Sequence, residues 1–196
     1  MSQRKAKIVR KTRETCISVE INLDRCFVSS VSTTIGFLDH MFELFAMHSG
    51  IGFKIKAEGD TRVDDHHLVE DSGIAIGQAF KKALGDKRGI VRYGHFLLPM
   101  DEALSYVALD LSGRSYLSYE VNIKFQKSGF NYDLIREFFC ALANNAGITL
   151  HIKMIKGRNN HHIAESVFKA FGHALGRAVV HLNSEKLSIL STKGVL

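Results

Sequence analysis

The chain passes twice through one pattern of apolar and polar positions. Residues 6–14 and 16–23 alternate, with Ile17, Val19, Ile21 and Leu23 on one face and Ser18, Glu20 and Asn22 on the other. A period of two marks half-buried strands, and the two runs predict a hairpin. Asp24-Arg25 marks a turn, and 27–32 predicts a third strand. Over 37–48 the period changes. Leu38, Met41, Phe42 and Phe45 recur at three- and four-residue spacing, the stripe of an amphipathic helix, which Ser49-Gly50 stops. A fourth strand over 51–57 and a polar loop over 59–65 follow. Asp64-Asp65 then supplies the cap of a second helix running from His66 to about Leu84, where the Gly85–Gly89 stretch ends it.

The order then recurs. Strands are expected near 91–98, 103–110 and 115–125, with Leu111-Ser112-Gly113 as a turn and the sole proline, Pro99, at a strand end. A helix over 132–145 stops at Gly147. A strand over 148–155, a loop over 157–160 and a helix over 161–181 complete the pass, leaving a short polar tail at 191–194. The plan is βββαβα twice, an α+β fold. Each half is a mainly antiparallel four-stranded sheet with two helices on one face. The halves are 1–88 and 89–196, with the seam near 86–90, and together they form one compact unit.

Residue matches support a tandem duplication. Gly50-Ile51 falls on Gly147-Ile148, Phe45 on Leu142 and Lys56 on Lys153. After a two-residue length difference, Ala75, Gly77 and Ala79 fall on Ala170, Gly172 and Ala174. The period is far too long for a solenoid. The same alignment places Glu137 where the first half has His40.

Composition narrows the classes. At 196 residues, 45% hydrophobic and 23% charged, the chain is an ordinary globular one. No apolar run is long enough to span a bilayer, and no leader is expected at the start. Cys16, Cys26 and Cys140 are odd in number and form no CxxC, which suits reduced thiols in a cytoplasmic protein. The net charge of +6 suits either nucleic acid or an anionic small substrate, and part of it is a cluster at Arg4, Lys5, Lys7, Arg10 and Lys11.

The chemistry lies in a motif spelled twice: His66-His67-Leu68-Val69-Glu70 and His161-His162-Ile163-Ala164-Glu165. On a helix, a glutamate three or four residues after a histidine shares its surface. Adjacent histidines sit about 100° apart, so the two of a pair serve different ions. With His40 and Glu137 added, the donor set is nitrogen and oxygen without thiolate. That suits Mn, Fe, Ni or Zn and disfavours a structural zinc site. The glutamate does not stand between the histidines as in HExxH, so the spacing indicates metal without naming a reaction.

Longer motifs do name one. Asp39-His40-Met41, the stretch from Asp65 to Asp71, the Gly85–Ile90 stretch, Pro99-Met100-Asp101-Glu102, the Asp110–Arg114 stretch, His161-His162-Ile163-x-Glu165 and Ser191-Thr192-Lys193-Gly194 occur in order. In these the chain, from about residue 8 to its end, resembles the imidazoleglycerol-phosphate dehydratase family of histidine biosynthesis. The resemblance implies a fold related to the second domain of ribosomal protein S5. It implies two Mn2+ per active site and a hollow 24-subunit homo-oligomer whose sites are shared between chains. The implied ligands are His40, His66, His67, Glu70, His161, His162 and Glu165. Glu137 stands where many members have histidine, and its carboxylate still suits manganese, a hard ion.

The implied substrate carries an imidazole, a glycerol chain and a phosphate, and the reaction removes water. The difficulty is a proton on carbon with no carbonyl beside it. Metal on the ring nitrogens favours the imidazolate, whose electrons help expel a hydroxyl. Glu14 resembles the family's acid/base glutamate, with Glu70 and Glu165 as further candidates for proton transfer. Arg92, Arg114 and Lys193 match phosphate-binding positions, Ser191 and Thr192 offer hydroxyls, and His48 falls in a substrate-contacting stretch. Asp71 is expected to orient a ligand histidine, and Asp101 and Glu102 carry no assigned role. Two alternatives stand beside this reading: a dimetal phosphoesterase, and a basic RNA-binding module. The latter is weakened by cations that are not interleaved with exposed aromatics and by the absence of tryptophan. The expected partners are therefore a small imidazole phosphate and further copies of the chain, without nucleic acid or membrane.

Overall fold

The structure is a computed structural model that describes residues 4–24, 29–124, 129–182 and 189–192. The first half contains β1 (Lys5–Lys11), β2 (Thr15–Asn22), β3 (Ser30–Ser32), α1 (Gly36–Ser49), β4 (Gly52–Gly59) and α2 (His66–Leu84). The second contains β5 (Tyr93–Met100), β6 (Ala103–Asp110), β7 (Tyr116–Glu120), α3 (Leu134–Ala146), β8 (Thr149–Lys156) and α4 (Asn160–Ala178). The strand orders are β1-β2-β4-β3 and β5-β6-β8-β7. In each sheet two pairings are antiparallel. The third, β3 with β4 and β7 with β8, is parallel because a helix carries the chain back to the same end.

Three elements depart from the sequence pattern, each for a local reason. β3 keeps only the end of the expected 27–32 strand, of which residues 27 and 28 lie outside the described residues. The strand expected to 125 stops at Glu120, and further on Lys124 bonds instead to the Asn160 side chain through both its N–H and its carbonyl. The helix expected to 181 ends at Ala178. Beyond it, the carbonyls of Ala178 and Val180 accept from the N–H groups of Arg92 and Val91, which draws the chain into an extended path beside 89–92. Pro99 lies inside β5, one residue short of its end, and β5 is an edge strand where a missing N–H is tolerated. At the start of α2 it is Asp64, not Asp65, that accepts from the His66 N–H, at 2.8 Å.

The helices of the two halves pack on one another, α1 against α4 and α2 against α3. The repeat is visible atom by atom in these crossings. A Cβ on Gly77 would lie 2.7 Å from the Leu142 carbonyl oxygen, and one on Gly172 would lie 3.0 Å from that of Phe45. Gly77 matches Gly172, and Leu142 matches Phe45, so the two contacts are one contact made twice. Fully buried Phe42, Phe53, Phe80, Phe139, Phe168 and Phe171 come from both halves and fill one continuous core. Among the described residues no helix is long and apolar enough to cross a membrane. The crossing of α1 with α4 matters for function, because it sets His40 of one half over the His161-His162-x-x-Glu165 block of the other.

Candidate metal centre

His40 on α1 and His161 on α4 both direct Nε2 at the same carboxylate oxygen, Oε1 of Glu165, at 2.8 Å and 2.9 Å. Their rings stack 5.5 Å apart and 18° from parallel. Glu165 follows His161 by one helical turn, so α4 alone brings that pair together, and the helix crossing supplies His40. The ligand atoms of the three residues lie within 4.8 Å of one another. Two imidazoles and a carboxylate converging on one point form a donor set for a borderline-to-hard divalent ion.

Electrostatics fit the same purpose. The Glu165 side chain is only 9% exposed. Burial works to raise its pKa, but hydrogen bonds from Lys169, His40 and His161 overcome it and hold the carboxyl at about 2. Lys169 Nζ sits 2.5 Å from Glu165 Oε2. The anion is therefore preformed. Lys169 has no counterpart in the sequence reading, although its place four residues after Glu165 was the available signal.

A second cluster gathers at the first half. Ligand atoms of Glu14, Asp60 and His67 also lie within 4.8 Å of one another. Both Asp60 oxygens are 3.2 Å from His67 Nδ1, and Glu14 Oε2 is 3.8 Å away. The Asp60 hydrogen bond raises the His67 pKa, with the Glu14 charge adding to it. His66 Nε2 lies 3.4 Å from its own Glu70, four residues on. His162 Nδ1 lies 2.7 Å from Glu102 Oε2, and this bond, with backbone N–H groups, holds the Glu102 carboxyl at about 2.

The described residues of one chain do not gather every expected ligand. His66, Glu70, Glu137 and His162 join no group of three or more ligand atoms within 4.8 Å. Glu137 accepts instead from Arg136 at 2.9 Å. Asp71 does not orient a histidine: Arg10 forks onto its Oδ1 at 2.7 and 3.0 Å, and Thr15 bonds its Oδ2 at 2.5 Å. The pull of a nearby guanidinium outweighs that of a neutral ring.

The expected phosphate cations differ in availability. Arg92 forks onto Asp110 at 2.7 and 3.0 Å and donates its remaining nitrogen to the Leu190 carbonyl. Its side chain is 9% exposed, and its backbone takes a positive φ of 75°. The Arg114 side chain is 71% exposed and 3.9 Å from Asp110. Arg92 thus ties the segment carrying Ser191 and Thr192 to the base of β5 and β6, while Arg114 reaches solvent. Lys193 lies outside the described residues. His48, two turns beyond His40 on α1, places Nδ1 3.1 Å from His173 Nε2. Burial lowers the pKa of both, and the Lys169 charge adds to the effect on His48.

Comparison with known proteins agrees over the whole chain. The family model described as imidazoleglycerol-phosphate dehydratase matches residues 33–175. The imidazoleglycerol-phosphate dehydratase of Endomicrobium trichonymphae is 78% identical over the full length of both chains, and that of Desulforamulus reducens is 54% identical, also over the full length of both. The crystal structure of the Staphylococcus aureus imidazoleglycerol-phosphate dehydratase covers 90% of this chain and 99% of its own, at 42% identity and a TM-score of 0.82.

Proposed function

The chain belongs to the imidazoleglycerol-phosphate dehydratase family, a hydro-lyase of histidine biosynthesis, and we propose that it works with two manganese ions bound by its repeated histidine blocks. The carrying observation is the convergence of His40, His161 and Glu165 on one point across the α1–α4 crossing. His66, His67, Glu70, Glu137 and His162 hold the remaining coordination. Because His66, Glu70, Glu137 and His162 close no site among the described residues of one chain, a neighbouring chain completes each centre, in a homo-oligomer of the 24-subunit kind. Large apolar side chains left in solvent, Met47 at 76% and Val63 at 71% exposed, support burial against other copies.

When bound, the ions act as Lewis acids and templates toward the imidazole of the substrate. The chain's own residues do the rest. The substrate is D-erythro-1-(imidazol-4-yl)glycerol 3-phosphate, and a hydrogen and a hydroxyl leave adjacent carbons as one water. The enol so formed becomes the ketone 3-(imidazol-4-yl)-2-oxopropyl phosphate, so atoms balance without oxidant or reductant. Glu14 stands at the tip of the β1–β2 hairpin with its side chain 55% exposed, able to exchange a proton with a substrate carbon or hydroxyl. Glu70 and Glu165 are poorer bases while they serve as ligands. Arg114 and Lys193 hold the phosphate. Arg92 contributes through the segment it anchors, where Ser191 and Thr192 offer hydroxyls, and His48 on α1 offers a further imidazole to the substrate.

Elemental analysis combined with a dehydratase assay, before and after chelation, tests the proposal. Two manganese per chain and activity that is lost on chelation and restored by Mn2+ are expected. Alkali-detectable ketone formed at full rate by metal-free protein would overturn the metal assignment. Release of inorganic phosphate in place of ketone would overturn the reaction.

A further inference from the structure

The two histidine blocks present their rings alike. The first histidine of each, His66 or His161, turns Nε2 to its own glutamate one turn on. The second turns Nδ1 to a carboxylate from outside the helix: Asp60 for His67, Glu102 for His162. A neutral imidazole has one N–H. A carboxylate on Nδ1 fixes the proton there and leaves Nε2 bare as a lone-pair donor. The two carboxylates are not repeat mates. Asp60 follows Gly59, whose mate is Gly157: a Cβ on either would meet matching side chains, Thr15 and Leu68 in one half, Ala103 and Ile163 in the other, so the residue matching Asp60 is Arg158. Glu102 comes from the β5–β6 turn, immediately before β6 as Glu14 is immediately before β2. The hairpin registers match up to the turn, with Lys11 opposite Cys16 and Pro99 opposite Leu104, and carry that equivalence.

Resting on the metal reading above, we propose that Glu102 is the positioning residue for His162. It holds the ring in the Nδ1–H tautomer with Nε2 aimed at an ion, the task Asp60 performs for His67. Its repeat mate Glu14, relieved by Asp60, is left available to the substrate. One ancestral turn carboxylate thus serves two purposes. The orientation of Glu102 is itself fixed. Its Oε1 accepts from the N–H groups of Arg158 and Asn159 at 3.1 and 2.8 Å, leaving Oε2 for the ring. Asn159 in turn caps α4 by accepting from the N–H groups of His161 and His162. Asp101 lies 3.8 Å from His162 Nε2, at the mouth of the open groove this pair lines.

The test uses the full-length chain. In the metal-free protein, 15N spectra of labelled histidine at alkaline pH, with the His162 signal identified by its loss in His162→Gln, should show Nδ1–H in the wild type. In Glu102→Ala the Nε2–H form should gain. Mn2+ titration should show one of two ions bound about 10- to 100-fold more weakly in Glu102→Ala, as for loss of a carboxylate behind a ligand histidine. Glu102→Asp should recover part of the loss, and Glu102→Ala added to His162→Gln should cost nothing more. A dominant Nε2–H tautomer in the wild type overturns the inference. So does a Glu102→Ala effect that weakens both ions equally and adds in full to His162→Gln, which is the behaviour of a loop support. Failure of the wild type itself to take up Mn2+ would instead refute the metal reading, and the tautomer measurement separates the two cases.

Discussion

The α1–α4 crossing that builds the candidate centre can be probed at Gly176. A Cβ there would lie 2.2 Å from the Ser49 carbonyl oxygen and 3.0 Å from its carbonyl carbon. The neighbour is backbone at the end of α1, not the tip of a flexible side chain. Restoring an ordinary contact of 3.4 Å requires the helices to part by 3.4 − 2.2 = 1.2 Å. Overpacking of this kind costs about 3 kcal/mol, the upper part of its usual range. Alanine returns about 1 kcal/mol of helix preference over glycine. The net is a loss of about 2 kcal/mol, or about 4 to 8 °C of melting temperature at this chain length. Gly36→Ala is the control, because nothing lies within 4 Å of its Cβ, and it should melt at or slightly above the wild type. Thermal unfolding of the metal-free chain by circular dichroism reads both. Because His40 and Glu165 face each other across the same crossing, Gly176→Ala should also bind Mn2+ more weakly. A Gly176→Ala chain melting at or above the wild type would refute the close packing on which the centre depends.

Three further outcomes follow from the site. The Glu165 carboxyl sits at about 2 against an ordinary value of 4.5, so its stabilisation of the metal-free fold is full above the ordinary value and is lost as pH falls through the folded one. The denaturation midpoint of wild type should drop between about pH 4.5 and pH 2 more steeply than that of Glu165→Gln, and parallel curves would contradict it. Arg114→Ala should raise KM for the phosphate substrate about 10- to 100-fold, the worth of a hydrogen bond to a charged group, with the melting temperature unchanged since the side chain is exposed. Steady-state kinetics decides, and an unchanged KM removes Arg114 from the phosphate site. Glu137→His should shift competitive uptake from Mn2+ toward Zn2+, because imidazole suits the softer ion. An unchanged Mn2+ to Zn2+ ratio by elemental analysis would show that Glu137 does not coordinate.

The repeat was legible in the sequence, because periodicity and the doubled histidine motif are local signals. The sequence placed twelve elements in order, and the alternation of Ile17, Val19 and Ile21 marked the side of β2 that is buried. It could not carry the partners that arise only in three dimensions. Asp60 behind His67 and Glu102 behind His162 come from a loop and a turn outside the helices they serve. Asp71 shows the converse error: it adjoins the motif in sequence, yet its helix face turns it to Arg10 and Thr15 on the sheet. The overlong reading of the last helix has the same origin. Nothing within 161–181 says that the backbone at 91–92 will claim the carbonyls of Ala178 and Val180.

The two helix crossings are equivalent in packing but not in charge, and on the metal reading the difference bears on how the centres would fill. At the α1–α4 crossing a carboxylate meets two imidazoles and an ammonium, so the site is satisfied before any ion arrives. At the α2–α3 crossing the residue matching His40 is Glu137, and Glu70 carries a second carboxylate. Two anions brought to one ion without a counter-charge would repel. Here Glu137 rests on Arg136 and Glu70 on His66. On the metal reading proposed above, an arriving cation would have to draw both carboxylates from these partners, but would gain two negative charges where the other crossing offers one. On the metal reading, repetition of the fold would supply two sites. On that reading, divergence at Glu137 would make the first depend on preformed geometry and the second on the charge of its ion.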